Sequence, residues 1–402
     1  MTCDLRIVNS KIFSSGELLS AGIAIDNEKI VAIAEDSKLP DSNRTIDAKG
    51  RLVIPGLVDI HVHFRDPGFT QKEDFLTGSQ AAAAGGVTTI VDEPNNQPAT
   101  TTLEALEQKK RIAGQKSVVD FSFSVGLNSR NIQSIPDFVA QGITSFDIFE
   151  NGIGAELSIT GVKAVVDALA AVRQANALAC MTISIADLNR TAIQELKEQG
   201  KNDMNAHGQS WPSLGESLSV ARNVLLAKHL GTKIHLRQIS SKSALDVLKK
   251  QEKCSVTSEV SPHHLLLTDK KAEELGSYGK VLPPIRRKED AESLWEALAC
   301  GMIDIVATDH APHTKREKDA GTGNIWDAPP GLTGVETMLP LLLTQVNKGR
   351  ISLERMVDAT SVRPAQILNL HPRKGAIQVG SDADLVVVDL GREYEIQGRN
   401  PH

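Results

Sequence analysis

The sequence predicts an α/β fold: a (β/α)8 TIM barrel with a small β-sandwich domain formed from both termini. Three observations carry this reading. Short apolar runs alternate with helical periodicity through most of the chain, strand-like runs lie at both ends, and polar residues stand where several internal strands stop. Repeated strand-then-helix units imply a parallel sheet with helices outside it, and barrels keep their sites at the C-terminal ends of the strands. An open doubly wound sheet is the alternative, but no Gly-x-Gly-x-x-Gly turn follows an early strand. At 402 residues the chain accommodates a barrel of about 250 residues and an accessory domain.

Taken in order, Leu5–Val8, Gly22–Ile25, Ile30–Ala34 and Leu52–Ile54 read as short strands, separated by turn signals at Asp26-Asn27 and Asp41-Ser42-Asn43. Asp384–Asp389 is a further strand, introduced by Gly380-Ser381-Asp382. These runs predict one composite β domain from residues 1–54 and 360–402, with the barrel over 55–359. Within the barrel, Lys233–Ile239 reads as a strand, Ser240/Ser241 as an N-cap and Ala244–Lys250 as a helix. Val256–Val260 is a strand, followed by a helix capped at Thr268/Asp269 and ending near Gly276; Ile303–Ala307 is a strand leading into Thr308-Asp309-His310.

Composition narrows the function. With 41% hydrophobic and 23% charged residues, the chain is globular rather than disordered. Only 3% aromatics and a net charge of −6 without a basic block argue against nucleic acid and anionic membranes, leaving a small-molecule substrate. Cys3, Cys180, Cys254 and Cys300 are scattered, with no Cys-x-x-Cys pair, which points to isolated, mostly buried thiols rather than a disulfide framework. Asp4 and Arg6 precede the first strand at once, unlike a secretory signal, and no apolar stretch reaches membrane-spanning length. A cytoplasmic location is the expectation.

His61 and His63 close the apolar run Leu52–Ile60. Residues two apart on a strand project to one face, so both imidazoles can reach one ion; the bland alternative is a pair of half-exposed histidines near a turn. Asp309 follows the strand Ile303–Ala307 and can bind an ion and take a proton from water, or simply cap a helix. Asn95 is a turn former and Arg65 a surface cation if each stands alone. Facing one cavity together with His313, they form a carboxylate-binding cluster, because Arg offers a forked pair of donors.

The segments HVHFRDPGFTQKEDFLTGSQAAAAGG (61–86), Pro94-Asn95-Asn96, TSEVSPHH (257–264), Pro283-Pro284-Ile285-Arg286, Asp309–His313, APPGLTGVE (328–336) and GSDADLVVVD (380–389) together resemble dihydroorotases of the amidohydrolase superfamily. The resemblance covers nearly the whole chain. It implies His61, His63 and Asp309 as metal ligands, Asp309 also as general base and acid, and Arg65, Asn95 and His313 as holders of a substrate carboxylate. The implied reaction is reversible closure of N-carbamoyl-L-aspartate to dihydroorotate in pyrimidine biosynthesis. A homodimer, and aspartate carbamoyltransferase as a partner, are compatible with the resemblance.

Some positions depart from that pattern. Asp147 stands where many relatives carry a carboxylated lysine, and other dihydroorotases use an Asp there, so Asp147 is a candidate fourth ligand; Glu150 competes if the local register slips. Ser184 and Gln238 stand in place of the fifth- and sixth-strand histidines, and Glu93 where the family usually has Met. The sequence thus implies a single ion, Zn²⁺ by its mixed imidazole and carboxylate ligands. His235, three residues from Gln238, is expected outside the lumen unless a bulge re-aims it. His207 is expected to be exposed, His263 and His264 structural, His310 packed behind Asp309, and Lys315–Asp327 a candidate lid loop. The competing readings are a non-catalytic relative serving as a structural partner of the carbamoyltransferase, and an allantoinase-like cyclic-amide hydrolase.

Overall fold

The computed structural model describes residues 2–14, 16–150, 155–250 and 255–396, so Cys254 lies outside the described residues. The chain divides into two compact units, one of residues 1–59, 81–90 and 336–402 and one of residues 60–80 and 91–335.

The first unit contains a six-stranded sheet: β1 (Cys3–Ser14), β2 (Glu17–Asp26), β3 (Lys29–Ala34), β4 (Ser42–Asp47), β5 (Leu52–Pro55) and β15 (Leu385–Val388), with strands from both ends of the chain as expected. It branches at β1, whose first half pairs with β4 and whose second half pairs with β5. One apolar cluster gathers Ile7, Ile12, Ile23, Ile25, Ile30, Val53 and Ile377, and a smaller one gathers Cys3, Ala24 and Leu39. Ser42 and Asn43, expected in a turn, open β4 instead. Its sequence SNRTID is polar and only half-buried at most, so its strand character comes from parallel pairing to β1 rather than from an apolar pattern.

Eight parallel strand positions then alternate with helices to form the (β/α)8 barrel: β6 (Leu57–Val62), β7 (Val87–Asp92), β8 and β9 (Asp120–Phe123 and Val125–Gly126, one position interrupted at Ser124), β10 (Ser145–Ile148), β11 (Leu178–Thr182), β12 (Lys233–Arg237), β13 (Val256–Val260) and β14 (Ile305–Val306). The ring closes by a parallel bridge from Val62 to His310, with the His63 amide donating to the His310 carbonyl at 2.8 Å. The helices follow amphipathic periodicity. Val162–Gln174 buries Val165, Ala168, Leu169 and Val172, an i, i+3, i+4, i+7 stripe. Ser241 caps Lys242–Lys249 by accepting from the Ala244 amide, and Thr268 caps Asp269–Leu275. No helix among the described residues is long and apolar enough to cross a membrane. Cys3 and Cys180 are buried free thiols, while Cys300 is exposed.

Two buried polar features tie segments of the second unit together. Lys109, fully buried, pairs with Asp92 at 2.6 Å and donates to the Glu93 carbonyl and to Asn96 Oδ1. The other oxygen of Asp92 accepts the Phe64 amide at 2.6 Å, which ties the ends of β6 and β7 together. His207, in contrast to the sequence expectation, is buried in the helix Met204–Gln209, with Nε2 donating to the Val281 carbonyl at 2.8 Å. Burial pushes its pKa down to about 4.

Lys109→Met strands the Asp92 carboxylate, and a loss of about 3–5 kcal/mol is expected. Thermal unfolding measures it, and a change below about 1 kcal/mol would show that the pair is not the anchor described. His207 is neutral in the folded state and protonates when unfolded, so stability falls as pH drops from about 6.5 to 4, by up to about 3 kcal/mol. His207→Gln keeps a donor for Val281 and removes the titration. The gap in thermal midpoint between pH 7 and pH 4.5 should shrink; an unchanged gap places the acid sensitivity elsewhere.

Candidate active site and metal centre

His61 within β6 and His63 just beyond it point to the same side, as the strand period requires, and Asp309 arrives from the end of β14. Asp309 Oδ1 lies 2.9 Å from His63 Nε2 and 3.4 Å from His61 Nε2. Ligand atoms of these three buried residues all fall within 4.8 Å of one another.

The far ring nitrogens are held as well. His61 Nδ1 meets Glu259 Oε1 at 2.5 Å and His63 Nδ1 meets Asn95 Oδ1 at 2.8 Å. Both partners are acceptors, which assigns the proton to Nδ1 and turns each Nε2 toward Asp309. Oxygen acceptors behind imidazoles are how proteins orient metal-ligating histidines. The donor set therefore fits a divalent ion. The carboxylates are divided between two partners: Asp309 lies against His61 and His63, while Asp147 and Glu259 contact the guanidinium of Arg237.

Electrostatics divide the carboxyl groups. Burial works against ionisation of Asp309, but His61 and His63 hold it down to about 2. Glu259 is likewise buried, and His61 and Arg237 keep it well below the carboxylate range. For Glu93, burial prevails over the pull of Arg237 and lifts it to about 8. Burial opposes the charge on His61, yet Glu259 raises that imidazole to about 9.

Of the expected substrate residues, Arg65 and His313 come together, and Lys72 joins them. His313 Nε2 lies 3.0 Å from the Pro330 carbonyl, which places the proton there and leaves Nδ1 to accept from Lys72 Nζ at 3.3 Å. Arg65 Nη2 is 3.4 Å from His313 Nε2, and Arg65 Nε is buried without a hydrogen-bond partner among the described residues. Burial, with the cations of Arg65 and Lys72, pushes His313 down to about 4 and keeps it neutral. Asn95 sits on the other side of His63, its carbonyl already engaged there.

Asp147 does not join the three-residue group: its Oδ1 lies 3.2 Å from Arg237 Nη2. Glu150 pairs with Arg222. Ser184 is buried just beyond β11 and supplies no imidazole. Gln238 does take a place facing the site, donating from Nε2 to Asp309 Oδ2 at 2.7 Å. His235, expected outside, is fully buried inside the ring, with Nε2 2.9 Å from Glu259 Oε2 and Nδ1 2.8 Å from Thr257 Oγ1. Strand alternation fails between 235 and 238 because β12 ends at Arg237 and Gln238 adopts a left-handed φ of 52°. His310 bonds Glu73 through Nε2 at 2.6 Å and accepts the Gly334 and Val335 amides on Nδ1. His264 Nε2 donates to the Pro283 carbonyl, while His263 Nε2 is buried with no hydrogen-bond partner among the described residues. The expected loop at Lys315–Asp327 contains the helix Lys315–Asp319, closed by a capping box of Thr314 and Glu317, and Glu317 pairs with Lys72 at 2.9 Å.

Sequence reasoning missed Arg237, Glu259 and Lys72. Glu259 and Lys72 lie inside the motif segments named above, and Arg237 could have been found as a charged residue two positions from His235, on the same face of a strand in a predicted barrel.

Comparison with known proteins agrees with this geometry. Residues 52–401 match the amidohydrolase family. The chain is 38% identical over 396 residues to a dihydroorotase of Methanosarcina acetivorans, covering 96% of this chain and 83% of the relative. It is 36% identical over 403 residues to an L-hydantoinase of Paenarthrobacter aurescens, covering 98% and 87%. The solved L-hydantoinase (dihydropyrimidinase) from Arthrobacter aurescens superposes with a TM-score of 0.95 at 33% identity, over 98% of this chain and 89% of that one. The similarity runs along almost the entire length, and this chain carries the buried His-x-His and strand-end aspartate described above: the chain belongs to the amidohydrolase family and is a metal-dependent cyclic amidohydrolase.

Proposed function

We propose that the cyclic amide is (S)-dihydroorotate, hydrolysed reversibly to N-carbamoyl-L-aspartate, with one Zn²⁺ held by His61, His63 and Asp309. The observation that carries the substrate is the Arg65 guanidinium beside His313, its buried Nε without a hydrogen-bond partner among the described residues, which suits a ring bearing a carboxylate. Such an ion supplies Lewis acidity, polarising the ring carbonyl and lowering the pKa of water. Arg65 binds the substrate carboxylate through its forked donors, and the free amide of Asn95 is available to it as well. Asp309 is ionised, so its carboxylate can take a proton from the attacking water and return it to the ring nitrogen as the C–N bond breaks. Gln238 donates to Oδ2 and so holds the carboxylate with Oδ1 turned toward the two Nε2 atoms, with which it would share the ion.

A hydantoin is the second reading, favoured by the TM-score of 0.95 to an L-hydantoinase. Assay of the zinc-loaded protein on dihydroorotate, N-carbamoyl-L-aspartate and 5-substituted hydantoins separates the two. Turnover of the first two, abolished in Asp309→Ala, is expected; turnover confined to hydantoins would overturn the proposal.

Arg65→Met should raise KM for dihydroorotate by roughly 10- to 100-fold, the loss of a charged bidentate contact, with metal content unchanged. Loss of metal in this variant would show that the division of roles along 61–65 is wrong. Asn95→Ala should weaken zinc affinity by roughly 10- to 100-fold, because His63 loses the acceptor that orients it. Competition with a chromogenic chelator reads this directly, and an unchanged affinity would assign Asn95 to the substrate alone.

A further inference from the structure

Arg237 ends β12 and projects into the ring two residues beyond His235. Its guanidinium reaches groups from four other strand positions. Nη2 donates to Glu93 Oε1 at 2.5 Å and to Asp147 Oδ1 at 3.2 Å; Nη1 donates to the Ile60 carbonyl at 2.8 Å and to Glu259 Oε2 at 3.3 Å. Arg237, Glu93, Asp147 and Glu259 are all buried. A cation so far from water persists only when opposite charges surround it, and here carboxyl groups converge on it as they would on a metal ion.

We propose that Arg237 is a resident cation standing where a second metal ion would otherwise be drawn by these carboxyl groups. Asp147 then serves the guanidinium rather than a metal. This rests on the single-ion reading above and deepens it: Ser184 and Gln238 remove two imidazoles, and Arg237 fills the space with fixed charge. Arg237 is also a positioning residue. It shares Glu259 with His61, and so helps hold Nδ1 of that ring on the carboxylate while Nε2 faces Asp309. Glu93 and Arg237 form one unit, because a single guanidinium nitrogen, Nη2, bridges Glu93 Oε1 and Asp147 Oδ1. The guanidinium offers a planar, permanent charge with several donors, which a lysine cannot reproduce in geometry.

The test is metal content per chain, by mass spectrometry after loading with excess Zn²⁺ and gel filtration, together with thermal midpoints with and without Zn²⁺. Arg237→Gln should bind one ion more than the wild type, and its midpoint, lowered by about 5 °C or more without added metal, should recover with Zn²⁺. Arg237→Lys keeps the charge and should match the wild type in metal content. The double variant Glu93→Met with Arg237→Gln, with one carboxyl group fewer, should bind the extra ion more weakly than Arg237→Gln. A folded Arg237→Gln with wild-type metal content and no response to Zn²⁺ would overturn the proposal, as would an extra ion in Arg237→Lys. If Arg237→Gln does not fold without added metal, refolding it with and without Zn²⁺ decides: recovery only with the ion supports the proposal, and no recovery with Zn²⁺ overturns it. The readout is a difference from wild type, so a wild type devoid of metal would defeat the single-ion reading while the comparison still judges Arg237.

Discussion

A carboxylate sealed from water has to be matched by donors, and in this barrel Glu259 is matched by three of them: His61 Nδ1, His235 Nε2 and the Arg237 guanidinium. Much of the interior follows from that requirement. His61 cannot rotate without abandoning a buried charge, so its second nitrogen is fixed toward Asp309. His235 is drawn inward rather than packed against helices. Arg237, held at one end by Glu259, spans the ring to Asp147 and Glu93. A network of this kind is costly when incomplete, which makes its members interdependent rather than additive.

The same logic links stability to the reaction. Lys109 and Asp92, buried beneath the ends of β6 and β7, fix the Phe64 amide, and Phe64 lies between His63 and Arg65. A pair that touches no reacting group thus sets the course of the backbone carrying one imidazole for the ion and one guanidinium for the substrate. The barrel supplies rigidity on one side of the site, and the capped helix Lys315–Asp319, tied by Glu317 to Lys72, bounds the other.

Much of this was legible in the sequence. The strand-helix alternation, the terminal β strands, the same-sided His61 and His63 and the strand-end Asp309 all follow from periodicity and placement, and the resemblance to dihydroorotases supplied their partners. What was not legible depended on long-range pairing. Ser42–Asp47 has no apolar alternation and becomes a strand only beside β1. His207 looked exposed in a Gly- and Ser-rich stretch because its acceptor, the Val281 carbonyl, is 74 positions away. Glu259 and Arg237, 22 residues apart, read as ordinary strand residues until the ring brings β12 and β13 together.

His235 was misplaced for a reason that explains the site itself. The two-residue period holds only while the backbone stays extended, and Arg65, Gln238 and Asp309, each near a strand end, have φ values of 60°, 52° and 47°. Non-glycine residues pay a steric cost there, and such positions gather where side chains must be aimed against the local pattern. At Gln238 the consequence is specific. In an extended strand, Arg237 and Gln238 would face opposite ways; the left-handed turn lets both neighbours address the interior, one toward Asp147 and Glu93, the other toward Asp309. The glutamine at this position donates to Asp309 Oδ2 and so holds the orientation of the aspartate. The backbone strain at 238 is what makes an arginine in the lumen and an ordered Asp309 compatible in one strand end.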